Sequence, residues 1–468
     1  MRNSQESRVS FPSKLAYGAG HVLNDVCASM WFTYTLLYFH LILGFDPTYS
    51  GLIIFIGQVA DALATPFVGL HSDKDDNFWL CKYGKRKTWH LTGTICVLGT
   101  FPFIFSECIG CQSAHQWAQL IYYAAFVIIF QFGWASVQIS HLSLIPDLTP
   151  SNEERTALTA IRYSFTVFSN ILIYCIAYAV LHITSENPAD QIGPKDAVKF
   201  QKVVLIGMSV GLLATIIFHI FVKEANSDQV PGNLGQAPRQ LRPPLSIFTD
   251  LELYHVALIY MPTRLFVNLA QSYIPLYLQD TLKMPATSVA LIPFIMYMGS
   301  FKASLSIQYL NSKLGRKISY LIGALMGIGA CAGIWFGKGD SFVRLFIYPV
   351  SLTLGTGGSM MLVTSLAITA DYIGHSTENG AFVYGMMSFA DKLSNGVAVM
   401  IIQYFKCTID CEDYFKNVLT FVCGGSAIIG LVMVLTRRSQ SSHNDAVDAN
   451  YSNLSEEDAE TNQTASNA

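Results

Sequence analysis

Apolar residues run along this chain in blocks far longer than the core segments of a soluble domain, and polar residues separate them at nearly regular intervals. A hydrocarbon layer about 30 Å thick is spanned by about 20 mostly apolar residues in a helix. Twelve stretches qualify: 14–43, 50–70, 88–106, 117–142, 156–183 and 200–222, then 251–279, 286–310, 318–337, 342–369, 381–405 and 416–436. Between the sixth and seventh, Asn226, Ser227, Asp228, Pro231, Gly232, Gly235, Pro238, Pro243 and Pro244 interrupt the rhythm with the composition of a linker. The expected organisation is an all-α membrane protein: an N-terminal tail (1–13), a six-helix bundle (14–222), a linker (223–250), a second six-helix bundle (251–436) and a polar, acidic, disordered tail (437–468). The first run is longer than a signal-peptide core and no small-residue cleavage pattern follows it, so it is expected to be retained.

Composition agrees with that pattern. Hydrophobic residues make up 51% of the chain and charged residues only 13%, against roughly 25% charged in soluble domains. The net charge of -3 decides little. Lysine and arginine resist translocation, and they collect on one side: Arg2, Arg8 and Lys14, then Lys82, Lys85, Arg86 and Lys87, Arg155, Arg239, Arg242, Lys313, Arg316, Lys317, Arg437 and Arg438. Loops 44–49 and 107–116 carry none, although 184–199 holds Lys195 and Lys199. Both termini are therefore expected in the cytosol. No phosphate loop, nucleophile elbow or metal-binding histidine pair is present in the sequence, so neither an enzyme, a cofactor nor a nucleic-acid partner is expected.

Five ionisable residues lie inside the apolar runs: Asp25, Asp61, Arg162, Arg264 and Lys392. A charge at the bilayer centre costs on the order of 3 kcal/mol even on the lenient insertion scale, so such residues point to a polar cavity with paired charges. Arg264, Asn268 and Gln271 fall at i, i+4 and i+7, one polar stripe down the seventh span. Lys392 has Asp391 beside it and Ser388 and Asn395 a turn away on either side; adjacent helical residues point apart, so an internal pair with Asp391 is a poor arrangement. Asp61 shares a face with Gln58 and Thr65.

The two groups of six also repeat one another. Gly84-Lys85-Arg86-Lys87 follows the second span and Gly315-Arg316-Lys317 follows the eighth. Pro146-Asp147-Leu148-Thr149 with Glu154-Arg155 follows the fourth, and Asp371 with Glu378 lies at the matching place in the second group. Six plus six spans, a basic turn after spans two and eight and a long central loop resemble the major facilitator superfamily. The fuller first motif, Pro66, Gly69, Asp73, Gly84-Lys85-Arg86-Lys87 and Trp89, is similar to that of its glycoside-pentoside-hexuronide cation symporters and their animal relatives. That resemblance implies twelve transmembrane helices in two six-helix bundles and alternating access. It also implies a conformational latch built from Gly69, Asp73, Gly84, Arg86, Lys87, Gly315, Arg316 and Lys317; the plainer alternative is a positive-inside anchor. Glycines 323, 327, 329, 355, 357 and 358 fit close helix contacts, with or without motion.

Within the superfamily an animal branch is more similar still, from Leu15 to about Met433, through His21-Val22-Leu23-Asn24-Asp25, Gly57-Gln58-Val59-Ala60-Asp61, the run from Phe130 to Pro146, and Gly380-Ala381-Phe382-Val383-Tyr384-Gly385. This resemblance implies a multi-pass protein of the lysosomal and melanosomal membrane, tied to pigmentation, that moves cysteine from cytosol to lumen. On the same footing the substrate-binding candidates are Asp25, Asp61, Gln138, Arg162, Arg264, Asn268 and Lys392. Thr65 stands where sodium-coupled sugar symporters carry a second acid, which removes a hard anionic oxygen and leaves proton coupling or none. Gln138 and Leu142 stand where sugar-transporting relatives carry an acid and a stacking tryptophan, which disfavours a glycoside. Arg162 reads as a cavity residue or as an interfacial cation, and His141 as a packed histidine or a proton relay. A zwitterion would place its ammonium on Asp25 or Asp61 and its carboxylate on Arg162, Arg264 or Lys392. The alternatives are symport of another solute, a sugar or lysolipid, and a sensor or scaffold that transports nothing.

Of ten cysteines, Cys108, Cys111, Cys407 and Cys411 fall in loops expected in the lumen, where disulfides, free thiols and zinc all remain open and disulfides are favoured. Tyr451-Ser452-Asn453-Leu454, ahead of Glu456-Glu457-Asp458, has the form of a tyrosine-based sorting signal, with Tyr451 and Leu454 as its contacts for sorting adaptors.

Overall fold

The computed structural model describes residues 9–72, 83–149, 151–184, 187, 189–224, 251–373, 377–406 and 413–437. The expectations resting on Asp73, Cys407, Cys411, Tyr451 and Leu454, and most of the linker and the tail, lie outside those residues. Among the described residues every regular element is helical.

The first span is two helices. Helix α1 (Phe11–Ala19) starts at the N-cap Ser10, whose hydroxyl accepts from Ser13 N, with Pro12 in its first turn. It stops at Gly20, and α2 (Val22–Leu37) resumes after His21 and ends in a π-helical turn, Tyr38–Ile42. The other long helices of the first half are α3 (Pro47–Ser72), α4 (Lys85–Ile104), α5 (Gln116–Ser143), α6 (Asn152–Ile183) and α7 (Ala197–Phe221). In the second half come α8 (Leu251–Leu276) with its π-helical end Tyr277–Thr281, α9 (Ser288–Phe336), α10 (Ile347–Ile373), α11 (Thr377–Lys406) and α12 (Gly424–Thr436). The spans expected at 286–310 and 318–337 follow one another within Ser288–Phe336 as two helices that meet at a kink at the non-helical Gly315, and α9 denotes the pair. There φ is +77°, a conformation open to glycine and costly for a side chain bearing Cβ.

Seven stretches among the described residues are long and apolar enough to cross a membrane by length and composition. The remaining spans fall short for a legible reason. The break at Gly20 shortens α2, the basic first turn dilutes α4, and Arg264, Asn268, Asp391 and Lys392 dilute α8 and α11. Leu63, Phe67, Leu70, Ile121, Ile217 and Ile220 are exposed at the outer surface, where lipid rather than water suits them.

The two halves meet along three seams: α3 against α11, α2 against α8, and α6 against α9. Within the second half α9 and α10 are the most closely packed. A Cβ on Gly357 would stand 2.6 Å from Gly327 N and 2.7 Å from Gly323 O, so the crossing needs hydrogen at that place.

Candidate functional site

A cavity of about 320 Å³ opens between the halves. Asp25, Ser29 and Phe32 of α2, Tyr163, Thr166 and Asn170 of α6, Arg264, Asn268 and Gln271 of α8, Tyr297 and Ser300 of α9 and Ser359 of α10 line it. Phe266, Met296, Phe301, Leu354 and Leu362 supply an apolar wall. Of the sequence candidates, Asp25, Arg264 and Asn268 therefore meet here, and the stripe continues through Gln271 as its spacing predicts.

Each half contributes one charge to this cavity. Asp25 is buried and accepts a hydrogen bond from Thr166 Oγ1 at 2.9 Å, while its other oxygen lies 2.9 Å from His21 Nδ1. A carboxylate has about four lone-pair sites, so capacity remains for an ammonium. Arg264 is anchored by its Nε to Asp391 Oδ2 at 2.8 Å. Its two Nη groups form no hydrogen bond among the described residues and are available to an anion. Asp391 thus anchors a residue of the cavity wall, where sequence reasoning treated it only as a neighbour of Lys392. Its signal was the need of Arg264 for a buried counter-charge.

Asp61 and Lys392 stand apart from the lining and join the halves directly. Lys392 Nζ donates to Asp61 Oδ1 at 2.7 Å and to Thr65 Oγ1 at 2.7 Å, and Thr65 also donates to Asp61. The ammonium sits 5.8 Å from the centre of the Trp134 ring. Gln138 is half-buried and outside the lining.

Arg162 does not snorkel outward. Its Nη2 lies 3.0 Å from His21 Nε2, one turn before Thr166. His141 is fully buried, donates to Tyr17 O at 2.7 Å and stacks on the Tyr17 ring at 4.2 Å, which is a packed histidine.

The basic turns form matching fasteners in the two halves. Arg86 pairs with Asp147 and donates to Ser143 O, while Arg316 pairs with Asp371 at 2.6 Å and donates to Ala367 O. Lys87 Nζ donates to Val222 O at 2.7 Å and His219 O at 3.1 Å, and Lys317 Nζ donates to Arg437 O. Gly84 (φ +120°) and Gly315 (φ +77°) make the turns that present these bases, and Gly69 is open to its surroundings. Cys108 and Cys111 form a disulfide. No cluster of metal-binding side chains occurs among the described residues.

A cavity enclosed by two helical halves, with charges from both, defines a membrane transporter, and comparison with known proteins gives its family. The family model for MFS/sugar transport proteins matches residues 16–412, and the chain belongs to the major facilitator superfamily. It is 40% identical over 445 residues to major facilitator superfamily domain-containing protein 12 of Mus musculus, covering 90% of this chain and 92% of the relative. The Homo sapiens protein of that name is 41% identical over 443 residues, with 90% and 92% covered. A more distant relative is the sodium-dependent lysophosphatidylcholine symporter 1 of Gallus gallus, 25% identical over 36% of this chain and 31% of its own. Among solved structures, the partially occluded inward-open xylose transporter XylE from E. coli superposes with a TM-score of 0.65 at 12% identity, covering 92% of this chain and 98% of its own. A bacterial homologue of the iron transporter ferroportin gives 0.63 at 13%, with 92% and 100% covered. The chain is a transporter of this superfamily and not an enzyme.

Proposed function

We propose that this chain moves a small zwitterionic solute, cysteine, from the cytosol into the lumen of lysosomes and melanosomes by alternating access. The observation that carries the reading is the pairing, in one cavity, of a carboxylate from the first half with a guanidinium from the second. A zwitterion bridging Asp25 and Arg264 engages both halves at once, so its binding energy can draw them together and drive closure. Asn268 and Gln271 add uncharged polar contacts along the same face. Thr65 in place of a second acid, with the Lys392 ammonium bonded to both Asp61 and Thr65, supports proton coupling, or no coupling ion, over sodium.

The resemblance to the animal branch supports the organelle and the direction, with both termini in the cytosol and Tyr451 and Leu454 addressing sorting adaptors. Division into bundles at 14–222 and 251–436 follows the same reading. The basic fasteners at Arg86 and Arg316 act as the conformational latch by holding each half rigid while the two rock.

One observation favours a second reading. The apolar wall of Phe266, Met296, Phe301, Leu354 and Leu362 would also hold an acyl or aryl portion, which fits a larger amphipathic solute.

Uptake of labelled cysteine into vesicles holding the purified chain tests the first reading. Asp25→Asn and Arg264→Ala should each lower uptake at least tenfold, the loss of about 1.4 kcal/mol of binding. Undiminished uptake in both variants would sink the assignment, and uptake of a lysolipid in place of cysteine would move it to the second reading.

A further inference from the structure

We propose that His21 binds the coupling proton, in competition with the guanidinium of Arg162. The proposal rests on the transport reading above and names the atom at which coupling occurs. His21 is buried at the break between α1 and α2, and its two ring nitrogens face opposite charges. Nδ1 lies 2.9 Å from Asp25 Oδ1, and Nε2 lies 3.0 Å from Arg162 Nη2. An arginine nitrogen only donates. Nε2 therefore presents its lone pair, which the Asn24 side-chain amide also approaches at 3.4 Å, and the imidazole is neutral with its hydrogen on Nδ1, which meets Asp25 as a close charge contact outside hydrogen-bond geometry.

A further proton can enter only at Nε2, the atom that Arg162 occupies. A protonated Nε2–H and a guanidinium cannot share that place, because two donors of like charge then face each other. Proton binding and the His21–Arg162 contact exclude one another, and the linkage is reciprocal. The proton comes from the solution to which the cavity is open in one state and leaves to the solution on the other side, when the cavity has opened there and Arg162 closes back onto the ring.

The groups packed around His21 single it out. Asp25 faces it from α2 and Arg162 from α6; His141 approaches from α5, with ring centres 5.4 Å apart, and His90 from α4. His141 and His90 each point Nε2 at a backbone carbonyl, Tyr17 O at 2.7 Å and Gly20 O at 3.0 Å, and His90 Nδ1 meets His219 Nε2 at 3.0 Å. Those rings hold the backbone around the helix break. His21 is the one of the four set between a carboxylate and a guanidinium.

The consequence reaches the cavity through one helical turn. Thr166, four residues after Arg162, lines the cavity and donates to Asp25 Oδ2 at 2.9 Å. A guanidinium displaced from Nε2 is set loose beside the Asp25 end and can take an anionic group, while imidazolium tightens on Asp25. Proton binding thereby strengthens the site for the carboxylate of a solute and loosens it for the ammonium.

Histidine-specific ¹³C NMR of the full chain in detergent, titrated without solute, reads the proton site; loss of one signal in His21→Gln, or in His21→Asn should the first variant not fold, assigns it. The His21 midpoint should rise by about one pH unit or more in Arg162→Gln and fall by a similar amount in Asp25→Asn. A signal that does not titrate between pH 4 and 8, or one unmoved by Arg162→Gln, overturns the proposal. In vesicles, exchange of labelled cysteine should change several-fold between pH 7.5 and 5.5 in the wild type and stay flat in His21→Gln; equal pH dependence in both overturns it as well. Opposed NMR shifts in a chain that carries no cysteine would remove the substrate assignment and leave the proton site standing.

Discussion

The two ends of this molecule are fastened in different ways. At the end opposite the basic turns, polar contacts run from one half to the other. Lys406 Nζ reaches Asp280 Oδ2 at 3.0 Å and His40 Nε2 at 2.6 Å. Ala286 N donates to Asp190 O at 2.8 Å, and Ile192 N donates to Gln279 Oε1 at 2.8 Å. At the basic-turn end, Arg86 with Asp147, Arg316 with Asp371, Lys14 with Glu154 at 2.8 Å and Arg437 with Glu252 at 2.9 Å each stay inside one half. Among the described residues the far end is held by bonds between the halves, whereas these four ion pairs of the basic end each belong to one half, and Tyr163 Oη donates to Ser304 Oγ at 2.9 Å where α6 meets α9. Between these ends the Asp61–Lys392 pair crosses the middle of the α3–α11 seam and acts as the pivot of the comparison.

Breaking that pivot should give the largest effect. Removing one member of a buried pair leaves an uncompensated charge, at a cost of about 3 to 5 kcal/mol. Lys392→Ala and Asp61→Ala should each lower thermal stability of the purified chain in detergent by that order. The double variant should recover much of it, because no charge is left stranded. Single variants that melt within a degree or two of the wild type would show that the pair is not needed to hold the middle of the seam.

How far the chain could be read without its structure depends on the range of the interaction involved. The helices were legible because each needs only its own run of apolar residues, and the basic turns because glycine and lysine announce them locally. The misplaced charges were legible one by one. Their pairing was not: Lys392 lies 331 residues from Asp61, and nothing local distinguishes that partner from Asp391 at its side. Adjacent residues on α11 point apart, so Asp391 turns to Arg264 and Lys392 to Asp61. The break at Gly20–His21 was hidden because hydrophobicity continues across it. The separation of spans eight and nine was legible because Gly315, next to the basic pair Arg316-Lys317, marks the non-helical turn between them. Cys407 and Cys411 themselves lie outside the described residues.

A second, smaller effect belongs to the far end. Asp280 holds both Lys406 and His40, so Asp280→Asn weakens a closure that both halves share. If the closed far end owes about 1.4 kcal/mol to this cluster, its opening should become about tenfold more frequent. A cysteine placed at Gln403, which is buried beneath that end against Tyr273, should be alkylated about tenfold faster in the Asp280→Asn background. An unchanged rate would assign the closure to the backbone contacts at Ala286 and Ile192 alone.

The smallest effect is expected at the basic turns, and it sharpens the contrast. Arg86 and Arg316 are partly exposed and their acidic partners sit in the same half, so each pair should contribute about 1 kcal/mol or less. Arg86→Gln and Arg316→Gln should lower the melting temperature slightly. Because neither contact bridges the halves in this state, neither variant should change the alkylation rate at Gln403. A double-mutant cycle of Arg86→Gln with Asp147→Asn isolates the pair from the carbonyl contact to Ser143. If instead Arg86→Gln alters access to Gln403 as strongly as Asp280→Asn does, the fastener is coupled to the far end, and the two ends are a single device in place of a hinge with a closed side and a free one.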